Sequence, residues 1–132
     1  MAIIANAEVH RLAEPWSGEI KTGIHQFMTD KPESFGGQDK GPAPYDLICS
    51  GLISCTMITL CMYASHKGIE LGEFSVEADF NANKEGKEWI ERRLSFAQPL
   101  SDELKQKVLE ISSKTPVTKT LLRSLEINTV LI

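Results

Sequence analysis

The 132-residue sequence has few aromatic side chains (7%), only three cysteines and no excess of positive charge. Its net charge of −4 and its scattered Lys and Arg residues argue against the basic face that nucleic-acid-binding proteins present. The first residues lack the apolar run and basic flank of a secretory signal, and three cysteines in one segment do not form a disulfide framework. We therefore expect a cytoplasmic protein with reduced thiols and no nucleic-acid partner.

The chain also lacks internal repeats, low-complexity tracts and any linker that would divide it. Its composition, 42% hydrophobic and 24% charged, is typical of a soluble globular protein. A chain of this length buries a sizeable core without disulfides or metals. The sequence therefore predicts a single domain over residues 1–132.

Alternation of apolar and polar side chains predicts the strands. In residues 73–80 (EFSVEADF), Phe74, Val76, Ala78 and Phe80 share one face and polar side chains the other, as in a half-exposed antiparallel strand. Less regular patterns predict further strands at residues 7–12, 19–29, 89–98 and 124–131, with a turn at residues 15–18.

Two helices are expected between the last two of these strands. Ser101 is a good N-cap, and the acids that follow it lie at the positive end of the helix dipole. A break at Thr115 and Pro116 begins a short second helix that ends near residue 123. Helices and antiparallel strands together indicate an α+β fold.

The segment from residue 47 to residue 65 contains no charged side chain, and Gly68 is well placed to end it as a helix. Its length is close to the roughly 20 residues that cross a bilayer. However, Ser and Thr side chains interrupt it, and the rest of the chain predicts a soluble domain that needs a core. We therefore expect a long buried central helix and no membrane partner.

All three cysteines lie in this helix, at Cys49, Cys55 and Cys61. A step of six residues turns about 240° and rises about 9 Å, so the three thiols point in different directions. They cannot share one metal ion or form a disulfide within the helix. No CxxC or HxxxH pair occurs either, so we expect no metal and no cofactor.

No face of the predicted helix is charged, so each face has to meet protein. A helix of about 22 residues is about 33 Å long, more than a small domain easily covers. Antiparallel sheets around this helix, in an intertwined homodimer, are therefore expected.

The segment GPAPYDLICSGLISCTMITLCMYASHKG, residues 41–68, resembles the signature of the OsmC/Ohr superfamily, in its general OsmC-like branch. The matching residues are Gly41, Pro42, Pro44, Tyr45, Asp46, Leu47, Cys55, Thr56, Thr59, Leu60, Met62, Tyr63, Ala64, Lys67 and Gly68. The acidic alternating strand and the later segment TPVTKTL, residues 115–121, also have counterparts in the family, so the resemblance covers nearly the whole chain. It implies an intertwined α+β homodimer with active sites at the subunit interface.

The resemblance also implies thiol chemistry. Characterised members reduce organic hydroperoxides through a peroxidatic cysteine on the central helix, which a second cysteine then resolves before an external dithiol restores both. Cys55 matches the peroxidatic position, whereas Cys49 and Cys61 match no catalytic position and are expected to pack. Tyr45 and Thr59 are the candidate binding residues of the motif.

The chain departs from the family pattern at two places. Thr115 stands where the resolving cysteine is expected, so resolution has to come from an external thiol. Tyr45 stands where the peroxidase branches have a glutamate, and the adjacent Asp46 is the candidate assisting carboxylate. A cation is needed to favour the thiolate, and Lys21 or His25 are the candidates from the segment that carries the family's arginine.

Two functions are predicted from these features. The first is a thiol-dependent redox protein that reduces small organic hydroperoxides through Cys55, with an external thiol as reductant. The alternative is a non-catalytic OsmC-like dimer that binds a small apolar ligand, having lost the resolving cysteine. A basic side chain near the Cys55 sulfur discriminates between them, because only a reactive thiol needs one.

Overall fold

The computed structural model describes residues 2–12 and 15–132 of the chain. The elements in these residues are β1 (Glu8–Arg11), β2 (Gly18–Thr22), β3 (His25–Thr29), a 3-10 turn (Glu33–Phe35), α1 (Pro44–Lys67), β4 (Phe74–Ala82), β5 (Glu88–Phe96), α2 (Asp102–Ser112) and α3 (Pro116–Leu122). They confirm the predicted α+β class with antiparallel sheets and one long helix. The residues group into two compact units, 1–48 and 49–132, and each is described by itself. The single domain over residues 1–132 stays a prediction.

The first unit contains an antiparallel sheet in the order β1-β2-β3. The predicted strand at residues 7–12 is confirmed as β1, but a single strand over residues 19–29 is wrong. Gly23 has a φ of 58°, which is open to glycine at little cost, so the chain reverses there and β2 pairs with β3. The predicted turn at residues 15–18 is confirmed: residues 15 and 16 form a turn, and the Leu12 N–H donates to the Ser17 carbonyl (3.0 Å) just before β2 begins. Residues 13 and 14 lie outside the described residues.

The loop after β3 leads into the start of α1. The Thr29 hydroxyl donates a hydrogen bond to the Pro42 carbonyl (2.9 Å), which ties the loop to the sheet. A side chain at Gly41 would collide with the Met28 carbonyl, so only glycine allows this close approach. The start of the 41–68 segment is therefore held close to the backbone of β3.

In the second unit, α1 contributes one buried stripe of residues spaced four apart: Leu52, Thr56, Leu60 and Ala64. Gly68, with a φ of 65°, ends the helix as predicted, and the Ile69 N–H donates to the Ala64 carbonyl (2.9 Å). The core of the unit is Leu60, Ala64, Leu71 and Val108.

Within this chain, α1 is not buried on every side. Met57, Ile58 and Met62 are exposed, although the helix is apolar. By length and composition alone α1 also passes as a membrane span. Because its buried stripe forms the core of an α+β unit, we assign it as a core helix whose remaining apolar faces are uncovered in the single chain.

A long antiparallel hairpin of β4 and β5 packs with this core. The alternation predicted for residues 73–80 is confirmed, with the side chains of one face half-buried and those of the other exposed. Phe74 and Phe96 stack with their ring centroids 5.0 Å apart. Ala78 pairs with Arg92 near the middle of the hairpin.

The two predicted C-terminal helices are confirmed as α2 and α3. The Ser101 hydroxyl accepts a hydrogen bond from the Leu104 N–H (3.1 Å), so it caps α2 as expected. The strand predicted at residues 124–131 is wrong, because these residues are irregular and exposed. A strand needs a neighbour for its backbone groups, and within the described residues none pairs with this segment.

Candidate functional site

Arg92 connects three helices of the second unit. From β5, its half-buried guanidinium donates from Nη1 to the hydroxyls of Thr56 on α1 (3.0 Å) and Thr118 on α3 (2.9 Å). Nη2 donates to the Ser112 carbonyl at the end of α2 (2.8 Å). The three acceptors belong to buried residues and none carries a charge. The guanidinium therefore keeps its full charge within a network of neutral oxygens.

Cys55 precedes Thr56 on α1 and interacts electrostatically with Arg92. Burial lowers the pKa of Arg92 below its ordinary value, and the interaction with Cys55 acts in the opposite direction. An arginine remains charged throughout, so it presents a cation to the thiol. The Cys55 side chain is half-buried, and its sulfur lies 3.9 Å from the Thr59 hydroxyl. The structure thus brings together Cys55 and Thr59, two of the predicted site residues.

Thr115, in the position expected for a resolving cysteine, is fully buried. Its hydroxyl lies 2.6 Å from the Thr118 hydroxyl, which contacts Arg92. Thr115 therefore belongs to the hydrogen-bond network around Arg92.

Tyr45 and Asp46 lie in the first turn of α1, within residues 1–48. The Asp46 carboxylate accepts a hydrogen bond from the Ala43 N–H (3.1 Å), so it occupies the helix N-terminus, where a negative charge is favourable. Tyr45 is exposed. Lys21 and His25 lie on β2 and β3 of the same unit. An assisting role for Asp46 and a binding role for Tyr45 and Thr59 stay predictions.

The other two cysteines are thiols as well. Cys49 is half-buried, while Cys61 is exposed and donates a weak hydrogen bond to the Met57 sulfur (3.8 Å). Cys61 borders an open groove of about 510 Å³ lined by Met57, Ile58, Cys61, Met62, Ser65 and His66. Within residues 2–12 and 15–132, no three His, Cys, Asp or Glu side chains are grouped so that they could hold a metal ion.

Arg92 was missed by the sequence analysis, which looked for the cation between residues 16 and 29. A signal was present, because in β5 the half-buried face consists of Ile90, Arg92, Leu94 and Phe96. A charged side chain in register with apolar ones requires acceptors or a counter-ion inside the fold.

The family-model comparison matches residues 37–130 to the family described as OsmC-like protein. No curated protein matches the chain. Among solved structures, the chain is similar to an OsmC-like protein from Mycoplasma pneumoniae, with a TM-score of 0.75 and 22% identity over 92% of this chain and 89% of that one. It is also similar to the organic hydroperoxide resistance protein OsmC of Legionella pneumophila, with a TM-score of 0.70 and 16% identity over 92% of this chain and 90% of that one.

A third similar structure is an organic hydroperoxide resistance protein from Elizabethkingia anophelis, with a TM-score of 0.67 and 20% identity over 91% of this chain and 89% of that one. At these identities the solved structures support the fold, and the family-model match covers more than half of the chain. The chain therefore belongs to the OsmC-like protein family.

Proposed function

We propose that this protein is a cytoplasmic thiol-dependent reductase of small organic hydroperoxides, with Cys55 as the reacting residue. The observation that carries the proposal is the position of Arg92: its guanidinium donates to the hydroxyl of Thr56 (3.0 Å), the residue that follows Cys55 on α1, and its hydrogen-bond acceptors are neutral oxygens. A nearby cation favours the thiolate over the thiol. The thiolate is the form that attacks a peroxide. Arg92 is the cation that favours it, which the sequence alone did not identify. The names of two similar structures refer to organic hydroperoxide resistance, which agrees with this substrate class.

In the proposed reaction, the Cys55 thiolate attacks the terminal oxygen of the hydroperoxide and the O–O bond breaks. The sulfur is oxidised by two electrons to a sulfenic acid, and the alkoxide leaves and takes a proton to become the alcohol. The Thr59 hydroxyl, 3.9 Å from the sulfur, is placed to donate to the thiolate before attack. No cofactor takes part in these steps.

The sulfenic acid is resolved from outside the chain. Thr115 offers no thiol, and six-residue steps along α1 turn Cys49 and Cys61 away from Cys55. An external thiol therefore attacks the sulfenic sulfur, releasing water and forming a mixed disulfide. A second thiol then displaces Cys55 as a thiolate and leaves as part of the external disulfide.

The proposal includes a homodimer with the site at the subunit interface. Exposed apolar residues on α1 support it, because monomeric soluble proteins rarely leave a long apolar face open. In that arrangement a second subunit completes the enclosure of each site.

The test is rapid mixing of the reduced protein with cumene hydroperoxide, followed by trapping of the sulfenic acid with a dimedone probe. We expect oxidation at Cys55, far faster than that of free cysteine. Cys55→Ser removes the signal, whereas Cys49→Ser and Cys61→Ser keep it because Cys55 alone matches the peroxidatic position of the motif. Turnover with an excess of a dithiol completes the measurement. Oxidation no faster than that of free cysteine would contradict the proposal.

The groove on α1 favours a second candidate function, the binding of a small apolar ligand without catalysis. It is lined largely by Met and Ile side chains, which suit such a ligand. Saturable binding of a hydrophobic dye that Met62→Lys abolishes, together with a Cys55 inert to peroxide, would favour this function over the first.

A further inference from the structure

In the hydrogen bonds around Arg92, the guanidinium donates and the threonine hydroxyls accept. A threonine hydroxyl carries a single hydrogen but two acceptor sites. The Thr56 hydroxyl donates to the Leu52 carbonyl (2.8 Å), which leaves its lone pairs for Arg92. The arginine therefore meets an acceptor on α1 whose orientation is already fixed by the helix.

The hydroxyl of Thr118 on α3 also has a single hydrogen to donate. The Thr118 hydroxyl donates to the Ser112 carbonyl (3.2 Å), so toward both Arg92 and Thr115 it acts as an acceptor. Thr115 is then the donor of the 2.6 Å hydrogen bond between the two hydroxyls. Both threonines are buried, so water does not compete for these positions. The pair presents a lone pair to Arg92 in one fixed orientation.

The chemical type of these acceptors matters. Carboxylates in their place would neutralise the guanidinium and weaken its attraction for any other anion. Neutral hydroxyl and carbonyl oxygens satisfy the N–H groups while leaving the charge available. Cys55, next to Thr56 on α1, is an ionisable group that interacts electrostatically with this charge. The network therefore holds a cation without consuming it.

We propose that Thr118, oriented by Thr115, is a positioning residue that fixes the Arg92 guanidinium for the Cys55 thiolate. The inference rests on the proposed function, which it deepens by assigning a role to residues that touch neither the sulfur nor the substrate. Thr115 acts here through its hydroxyl, as a hydrogen-bond donor in place of a thiol.

The test measures Cys55 alkylation by iodoacetamide as a function of pH, in a Cys49→Ser, Cys61→Ser background where only Cys55 reports. Thr118→Val keeps the shape of the side chain but removes one acceptor of Arg92. We expect the midpoint of the profile to move to higher pH. The rate at neutral pH should fall about threefold to tenfold, because a smaller fraction of the Cys55 thiol is then present as the reactive thiolate.

Two further variants separate positioning from packing. Thr118→Ser restores the hydroxyl and should restore the profile. Thr120→Val makes the same substitution two residues along α3, outside the network, and should leave the profile unchanged. A Thr118→Val midpoint equal to that of Thr120→Val would overturn the inference.

Thr115→Val removes the donor but leaves Arg92 all its acceptors, so a smaller shift in the same direction is expected. It decides the question alone if Thr118→Val does not fold, since an unchanged profile in Thr115→Val would also overturn the proposal. Alkylation needs no peroxide. A shifted profile in a protein that peroxide does not oxidise would contradict the proposed function but support the positioning role of Thr118. Rapid oxidation of Cys55 by peroxide with an unshifted profile would support the proposed function and contradict the positioning role.

Discussion

At the residue scale, Asp30 shows how one carboxylate organises a loop. It lies directly after β3, is only 3% exposed, and accepts hydrogen bonds from the backbone N–H groups of Lys31 (2.7 Å), Gln38 (3.2 Å) and Lys40 (3.4 Å). Burial alone would raise the pKa of Asp30, but these donors and the Lys40 charge hold it below its ordinary value. The folded loop therefore stabilises the ionised carboxylate of Asp30.

We expect Asp30→Asn to destabilise the protein at neutral pH, because an amide cannot accept from all three donors at once. A carboxyl group with a lowered folded pKa contributes stability above its unfolded pKa and loses it as the pH falls through the folded value. The difference between variant and wild type should thus shrink with acidification below about pH 4. Urea midpoints measured from about pH 3 to about pH 7 test this.

Asp39→Asn is the matched control, since Asp39 is exposed on the same loop and its φ of 53° suits asparagine. Its midpoint should stay near that of the wild type across the range. A pH-independent effect of Asp30→Asn would contradict the role given to the charge.

Also at this scale, the candidate site was only partly predictable. Cys55 follows from a sequence resemblance, and the charge at Arg92 was detectable from the period of β5. Its partners were not, because Thr56 and Thr118 lie 36 and 26 residues away in sequence. Nothing local links an arginine to hydroxyls on two other elements; only the packing of the helices on the hairpin does.

At the element scale, the correct predictions concern features that short stretches of chain determine. The Ser101 cap, the Gly68 helix end and the alternation of β4 each depend on a few neighbouring residues. The errors concern pairing. Residues 19–29 form two paired strands, and residues 124–131 form none. Alternation indicates that a segment suits a strand, but not whether a partner stands beside it.

The buried stripe of α1 gives a prediction for this element. Leu60 is fully buried in the core cluster, so Leu60→Ala removes apolar contacts and leaves a cavity. A loss of about 2–5 kcal/mol in the free energy of unfolding is expected. Leu109→Ala on α2 is the control, because this side chain is exposed and the same truncation should change the free energy by about 0.5 kcal/mol or less. Urea unfolding at one fixed protein concentration compares the two, and equal losses would contradict the core assignment.

At the scale of the whole molecule, exposed apolar residues stand out. The described chain leaves Met57, Ile58 and Met62 of α1 uncovered, and the irregular C-terminal residues expose Leu125, Ile127, Val130 and Leu131. An apolar segment with unpaired backbone is a surface that another chain can cover or extend. A second copy of the chain that covered both surfaces would be the homodimer of the proposed function.

Light scattering on the purified protein tests this assembly. The chain mass is 14.7 kDa, so a homodimer weighs 2 × 14.7 = 29.4 kDa. The double variant Ile127→Asp, Val130→Asp replaces two exposed apolar side chains with charges and should lower the mass toward that of one chain, because the apolar area that a second copy would bury is lost. Asn128→Asp adds a charge to the same segment without removing an apolar side chain, so it should remain near the dimer mass. A wild-type mass of 14.7 kDa at micromolar concentration would exclude the homodimer, and Cys55 would then have to react in a site that one chain completes by itself.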